Sequence, residues 1–307
     1  MLLDLLKSKD ASDNLGYDTS IFKVRLNSQK FKVFYEVEEI QKGYYQQVGV
    51  TARYGIMILY KYPDSDTWYN LDSYGRRNAA SVNMKKYNID KHVPTNGEYQ
   101  LMILGPILSQ LKTLKIQVPE NSTVQLDNEL SERKVVIAGG IYSKGIGCTT
   151  AGLRFSNILS RNLDLSVMDL TYKNRKSYLK DIHDFYENNI ISQADVGVLE
   201  LHYALQDDEI VNEYLKDVIR YMKKQCVHLI CWYCLPKTKL YKQAVIYDNL
   251  MDELEDDNIE VMDFSFLHDE QHGDMCTASP YFITDAAHVL IYQKLRERIQ
   301  EVTKWNI

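Results

Sequence analysis

The chain has 307 residues, of which 45% are hydrophobic and 25% are charged, and its formal net charge is -6. This length can hold one large domain or two ordinary ones, and the composition is typical of a soluble globular protein. The negative charge argues against a nucleic-acid partner, and no apolar run approaches the length of a membrane span.

The N-terminal stretch does not have the pattern of a secretory signal. Its apolar run is short and is interrupted by Asp4, and no basic leader precedes it. The five cysteines are odd in number and lack the spacing of a disulfide framework, which favours a cytoplasmic protein. An exported protein whose signal has been trimmed is the alternative.

Residues 1–20 are predicted to be a lead-in, and residues 21–120 a small all-β sandwich or jelly-roll-like domain. Short strands are predicted in four segments separated by proline-containing turns: Phe31–Val37, Gly55–Tyr62, Tyr99–Leu104 and Leu114–Val118. No helix is predicted among them, which is typical of a β-sandwich of about 100 residues. The polar segment 121–133 is predicted to be a linker.

The pattern changes in residues 134–307, where apolar runs alternate with amphipathic segments. Strands are predicted at 135–138, 166–169, 195–201, 227–233 and 259–263. Helices are predicted at 153–163, 210–224 and 285–302, the last with Thr284 as its N-cap. Five strands alternating with helices indicate an α/β domain with a five-stranded parallel sheet in a flavodoxin-like layered arrangement.

The segment Lys134–Leu153 is the first candidate for a functional site. It consists of a short apolar strand, a glycine-rich loop and the start of a helix. In open parallel sheets, ligands and catalytic groups lie in the loops that follow the carboxyl ends of the strands.

The whole layout resembles the two-domain SGNH (GDSL-like) hydrolases, over residues 20 to 300. In that family a jelly-roll-like domain with a GxDLY motif precedes an α/β esterase domain. Gly55–Tyr60 occupies the place of GxDLY, without its aspartate and with one extra residue. Other segments match the closing strands of the first domain, the first helix of the second, and the family's last catalytic stretch: Asn96–Pro106, Leu111–Pro119, Ile158–Asp164 and Thr284–His288.

The resemblance implies ester hydrolysis or acyl transfer, but the residues at the family's nucleophile position differ. Tyr142 stands where the family has its serine, and Ser143 is one position late. Gly140 keeps the place of an oxyanion or cleft residue. A tyrosine with a pKa near 10 and no neighbouring base is a poor acyl acceptor.

The other three blocks also depart from the family. The second block, Asp169–Asn174, lacks the glycine whose N–H would donate to an oxyanion. Lys173 and Asn174 stand at the former oxyanion or cleft positions of this block. The third block has Glu200 and His202 where an asparagine is expected. In the fourth, the positions of the catalytic aspartate and histidine are Ser279 and Phe282.

These departures predict a catalytically degenerate SGNH-like protein that acts as a binding, scaffold or accessory protein. Its partner would be a small ligand, a protein or peptide, or a second copy of the chain. The partner would bind at the former active-site cleft, which is walled by Tyr142, Lys173, His202 and Phe282. The alternative for this cleft is that it is simply filled in. The alternative is an active ester hydrolase or acyltransferase that uses displaced residues: Ser143 with His268 or His272, and Asp269 or Asp274 as partner.

Two further hypotheses concern other chemistry. Ser143–Thr150 resembles the phosphate-binding loop of the ParA-like ATPases, but Cys148 stands at the phosphate lysine and the nearest lysine is displaced to Lys144. The pair Cys231 and Cys234 could hold zinc or carry redox chemistry with the nearby residues Cys226, His228, His272 and Cys276. The position of the pair at the end of an apolar strand favours core cysteines. No cofactor and no metal are therefore expected.

Overall fold

The computed structural model describes residues 1–10, 17, 20–38, 48–74, 86–93, 97–127, 129–174, 177–189, 191–201, 208–235, 258–279 and 282–305. The chain forms two compact units. The first consists of Met1–Asn14, Asp18–Leu130 and Thr149–Gly152, and the second of Leu15–Tyr17, Ser131–Cys148 and Leu153–Ile307. Within the described ranges, no helix has the length and apolarity that crossing a membrane requires.

The first unit contains two antiparallel sheets. The strands are β1 (Leu2–Asp4), β2 (Ile21–Leu26), β3 (Lys30–Val37), β4 (Ile56–Lys61), β5 (Tyr69–Tyr74), β6 (Lys86–His92), β7 (Tyr99–Leu104), β8 (Leu111–Gln117) and β9 (Val124–Asp127). One sheet has the order β1-β8-β3-β6, and the other has the order β5-β4-β7-β2-β9.

Alternating side chains build a common core from both sheets. In β3 every second residue is buried, so Val33 and Tyr35 face inward while Lys30 and Lys32 face outward. Val24, Ile58 and Leu101 of the second sheet belong to the same apolar cluster. This arrangement confirms the predicted sandwich.

Four short elements in the first unit differ from the sequence-based expectation. The predicted lead-in forms β1 and the helix α1 (Leu5–Asp10), and the predicted linker contains β9, which pairs with β2. A further short helix, α2, spans Val50–Tyr54. Elements of three to six residues are too short to show a readable hydrophobic period, although Leu5 and Val124 are buried in the core.

The second unit is built on a parallel sheet of five strands. These are β10 (Lys134–Gly139), β11 (Ser166–Thr171), β12 (Ala194–Glu200), β13 (Cys226–Tyr233) and β14 (Ile259–Asp263), in the order β11-β10-β12-β13-β14. All five predicted strands are confirmed to within two residues at each end. A short hairpin of β15 (Thr277–Ser279) and β16 (Phe282–Ile283) precedes the last helix.

The described helices of this unit are α3 (Ile141–Lys144), α4 (Phe155–Leu163), α5 (Tyr178–Asn188), α6 (Asp208–Gln225), α7 (Gly273–Cys276) and α8 (Asp285–Thr303). Helix α4 packs against α8, and α5 packs against α6. The crossovers through α4 and α5 run in opposite directions across the sheet, so their common right-handedness places these helices on opposite faces. Thr284 is the N-cap of α8 as predicted, although its hydroxyl donates to the Met275 carbonyl and not to the helix.

The strand order places the functional region. The chain passes from β10 to β11 on one side and then returns to β12 on the other side of β10. Such a reversal opens a crevice outside the carboxyl ends of the two central strands, which is the usual ligand site of open α/β sheets. In this chain the glycine-rich loop follows β10, and Glu200 ends β12.

Candidate functional site

The crevice between β10 and β12 is occupied by a carboxylate of the chain itself. Glu200 is 3% exposed. Its Oε2 accepts hydrogen bonds from the backbone N–H groups of Gly140 at 3.0 Å and Ser143 at 2.6 Å, and its Oε1 accepts from Tyr142 N–H at 3.4 Å. Three backbone N–H groups of one loop thus form an anion-binding nest around Glu200, which we call the Glu200 nest.

Glycine at position 139 makes this close approach possible. A Cβ on Gly139 would lie 2.5 Å from the Cβ of Glu200 and 2.7 Å from the Ser143 Oγ. Tyr178 of α5 closes the nest from one side, because its hydroxyl donates to the Glu200 carbonyl at 3.0 Å and its ring packs against Gly140. The end of the crevice is therefore filled by side chains of the protein.

A buried arginine fixes the other side of the loop. The Nε of Arg154 donates to the Ser143 carbonyl at 2.6 Å, and its two terminal nitrogens donate to the Asp169 carboxylate at 2.6 and 3.0 Å. Burial raises the pKa of Asp169, but the charges of Arg154 and Lys144 outweigh it and hold this pKa below its ordinary value. The bidentate pair ties the loop after β10 to the end of β11.

The protonation of Glu200 reflects two opposing influences. Burial raises its pKa to about 7. The backbone N–H and hydroxyl of Ser143 and the N–H groups of Tyr142 and Gly140 oppose this rise, because they favour the carboxylate. Near neutral pH, molecules with an ionised Glu200 therefore coexist with molecules in which Glu200 is protonated.

We expect Glu200→Gln to change how stability depends on pH. The folded state raises the pKa of Glu200 from 4.5 to about 7, so it holds this proton more tightly than the unfolded chain does. The stabilisation is complete below pH 4.5 and is lost as the pH rises through 7. At 1.36 kcal/mol per pKa unit, the loss is about 3 kcal/mol. Urea unfolding at successive pH values measures it.

His288 has the opposite effect in an overlapping range. Burial, followed by the charge of Arg154, lowers the pKa of His288 to about 3 from 6.5. Its contribution to stability therefore falls as the pH drops below 6.5. The difference in the free energy of unfolding between wild type and Glu200→Gln, taken at each pH, gives the contribution of Glu200 alone. A difference that stays constant from about pH 4.5 to about pH 7.5 would contradict the prediction.

The residues predicted at the nucleophile position are inside the protein. Tyr142 is 1% exposed, and its ring lies near that of Trp232 with a centroid distance of 6.4 Å. Tyr142 therefore does not wall an open groove, and its burial fits the alternative in which the cleft is filled in. Ser143 is also fully buried, with its hydroxyl against Glu200.

The other predicted cleft positions are scattered. Lys173 and Asn174 are exposed after β11, and Phe282 is half-buried in β16 opposite Ser279. His202 lies outside the described residues. Of these positions, the structure brings Gly140, Tyr142 and Ser143 together around Glu200.

Of the two displaced histidines, His272 forms a pair with an aspartate. His272 Nδ1 lies 2.8 Å from Asp269 Oδ1, which also accepts hydrogen bonds from the N–H groups of Gln271 and His272. This bond to His272 lowers the pKa of Asp269. The Nε2 of His268 is buried without a hydrogen-bond partner in the described part of the chain. Neither histidine forms a hydrogen bond with Ser143 among the described residues.

The cysteine and phosphate-loop hypotheses lack the required geometry. Burial raises the pKa of Cys231 to about 12 and that of Cys234 well above its ordinary value, which favours thiols over metal-binding thiolates. The described residues contain no group of three or more side chains placed to hold a metal. In the loop compared with a phosphate-binding loop, the Ser143 N–H donates to Glu200. Four further N–H groups of this loop donate to backbone carbonyls: those of Lys144, Gly145, Ile146 and Cys148. The side chain of Cys148 is buried.

Sequence reasoning missed the roles of Glu200, Arg154 and Asp169. Glu200 was noted only as a replacement for asparagine, and Arg154 was not considered. The available signal was a single charge at the end of an otherwise apolar strand, Val196–Leu199. Lys, Glu, Arg and Asp are almost never fully buried without a partner, so such a charge indicates a specific partner nearby.

No protein-family model matches the chain, and no curated protein matches its sequence. Solved structures do match its fold. A protein described as a GDSL-like lipase from Bacteroides ovatus has a TM-score of 0.74 at 13% identity, with 98% of this chain and 91% of that chain covered. A salicylyl-acyltransferase from a tetracycline biosynthetic pathway has a TM-score of 0.65 at 13% identity, covering 97% and 87%.

A third similar structure is a family two carbohydrate esterase from Clostridium thermocellum in complex with cellohexaose. Its TM-score is 0.64 at 12% identity, and the match covers 93% of each chain. At these identities the likeness defines the fold alone. The chain therefore has an SGNH-like hydrolase fold, in which an antiparallel β unit accompanies an α/β unit, and the resemblance inferred from the sequence is confirmed at that level.

Proposed function

We propose that this protein is a catalytically degenerate SGNH-hydrolase-like protein that acts by binding, as a scaffold or accessory protein. The observation that carries the proposal is the Glu200 nest. Acyl transfer by a serine hydrolase requires backbone donors that are free to stabilise a developing oxyanion. Here the N–H groups of Gly140, Tyr142 and Ser143 already donate to Glu200.

Charge repulsion supports the same proposal. When Glu200 is ionised, an oxyanion that approached these N–H groups would lie beside a second negative charge. Two unit charges about 4 Å apart interact by about 4 kcal/mol at an effective dielectric constant of about 20. A penalty of that size corresponds to a rate loss of about a thousandfold.

The accessibility of the hydroxyl groups is a further argument. Ser143 and Tyr142 are both buried, and no histidine is hydrogen-bonded to Ser143 among the described residues. A nucleophile needs a base within hydrogen-bond reach and space for the ester carbon. We therefore expect the binding surface to lie outside the Glu200 nest.

An active hydrolase or acyltransferase is the second candidate, and one observation favours it. The Asp269–His272 pair has the geometry by which a carboxylate orients a catalytic histidine. The similar solved structures include a lipase-like protein, an esterase and an acyltransferase. This candidate requires the loop to move so that Ser143 leaves Glu200 and meets His272.

We expect no turnover of short-chain p-nitrophenyl esters above the buffer rate, and no labelling by a fluorophosphonate probe. Ser143→Ala and His272→Ala are the matched variants, and each should behave like the wild type in both assays. Turnover that both substitutions abolish would overturn the proposal in favour of the second candidate. Turnover that neither changes would indicate a contaminating esterase.

The cytoplasm is the compartment that we propose. All five cysteines are free and buried, which a reducing environment maintains. The partner is proposed to be a small ligand, a protein or peptide, or a second copy of the chain. Size-exclusion chromatography with light scattering would test self-association directly.

A further inference from the structure

The first unit carries a groove of about 560 Å³ beside the ends of β3, β6 and β8. This volume lies within the range of small-molecule sites, about 300 to 1,000 Å³. Phe31 and Val118 also line the groove, but their side chains are almost fully buried in the core of the first unit. The ionisable side chains that line the groove are Lys30, Lys32, Lys91, His92 and Asp90.

Strand pairing brings four of these side chains together on the outward face, whereas Lys91 lies opposite the inward-facing Phe31. Lys30 and Lys32 flank the inward-facing Phe31 in β3, so both point away from the core. The register sets Lys30 opposite His92 and Lys32 opposite Asp90. Opposite residues in an antiparallel pair have Cβ atoms about 4.5–5.5 Å apart, so the side chains meet at the groove.

The groove is locally positive in a chain of net charge -6. On the outward face of the sheet, Lys30, Lys32 and Asp90 leave a charge of +1 before His92 is counted. Asp90 pairs with Lys32 at 3.3 Å, but the two side chains are 69% and 50% exposed. Such a pair contributes about 0–1 kcal/mol, and a ligand can displace it. Lys30 has no ion-pair partner among the described residues.

Screening limits the size of the anion that this groove attracts. The Debye length is about 8 Å at physiological ionic strength, so a compact anion inside the groove senses the local positive charge. A long polyanion would also pass over surface where the negative charge of the chain repels it. Ammonium groups act as mobile point charges toward phosphate, sulfate or carboxylate oxygens.

We propose that this groove binds a compact ligand that carries one or more oxyanion groups. The site lies within the first unit, so the proposal does not depend on whether the Glu200 nest is catalytic.

Isothermal titration with pyrophosphate and with citrate tests the proposal on the full chain. We expect a dissociation constant below about 1 mM for at least one probe at low salt, weakening as salt is added. Binding of pyrophosphate alone would support a phosphorylated ligand, and binding of citrate alone would support a carboxylated one. Binding of both would support their shared chemistry.

The variant Lys30→Gln/Lys32→Gln should weaken binding at least tenfold. The matched control is Lys7→Gln/Lys112→Gln, which removes the same charge from exposed positions outside the groove and should change binding less than twofold. Lys30→Gln alone provides a milder variant if the double substitution lowers stability. Absence of binding by both probes, or equal weakening in the groove and control variants, would overturn the proposal.

Discussion

Arg154→Ala is expected to lower the free energy of unfolding of the second unit by about 3–5 kcal/mol, the usual cost of removing one partner of a buried ion pair. Arg154 is 4% exposed and forms a bidentate pair with Asp169. Its loss leaves the Asp169 carboxylate without its ion-pair partner and removes the donor to the Ser143 carbonyl. Urea unfolding followed by tryptophan fluorescence in a Trp68→Phe background measures the change, because the two remaining tryptophans, Trp232 and Trp305, belong to the second unit.

An exposed pair provides the control for this prediction. Arg220 contacts Asp217 at 3.0 Å with side chains that are 63% and 38% exposed. We expect Arg220→Ala to cost less than about 1 kcal/mol, because solvent screens such pairs. If the unpaired charge causes the loss, Arg154→Met combined with Asp169→Leu should be more stable than Arg154→Ala alone. A double variant that is less stable would show that packing of the arginine dominates.

Gly147→Ala is expected to destabilise the second unit by a similar amount, about 3–5 kcal/mol, from backbone strain and overpacking together. Gly147 has a φ of +119°, a backbone angle that residues with a side chain rarely adopt. A Cβ there would lie 2.0 Å from the Ile283 carbonyl oxygen. The obstacle is backbone of β16, so a rotamer change cannot relieve it. Urea unfolding with the same tryptophan signal is the measurement.

Alanine variants of two other glycines distinguish the cost of backbone strain from the cost of the steric clash. Gly97 has a φ of +100°, but no atom lies within 4 Å of the position that a Cβ would take there. Its alanine variant should therefore lose about 1–2 kcal/mol through backbone conformation alone. Gly49 has a φ of -60° and open space, so Gly49→Ala should stay within about 1 kcal/mol of wild type. A Gly147→Ala loss no larger than that of Gly97→Ala would show that the β16 contact yields easily.

The strands of the second unit could be predicted because buried parallel strands are continuous apolar runs. Val135–Ala138 and Val196–Leu199 are such runs, and their boundaries follow from the polar residues around them. The short elements β1 and β9 were missed, since pairing with a distant strand defines them more than any local period. Their partners, β8 and β2, are about a hundred residues away in the chain.

The sequence predicts where the candidate site lies but not which side chain fills it. The loop after β10 follows from the strand–loop–helix pattern, whereas the carboxylate that fills it lies 60 residues away. Its position depends on register: Ala138 lies opposite Leu199, so the next residue, Glu200, comes beside Gly139. One sequence contains no direct measure of that register, and therefore Glu200 was considered only as a missing asparagine.

The Glu200 nest also determines how an outside molecule would have to compete for it. A group held in place by the chain can act as if present at an effective concentration far above that of any free metabolite, reaching about 10⁵ M or more in well-oriented systems. Free acetate or a carboxylate product would thus fail to displace Glu200 at cellular concentrations. Glu200 therefore competes with any external anion for the three N–H groups of this loop. An external anion would bind there only after a conformational change moved Glu200 away.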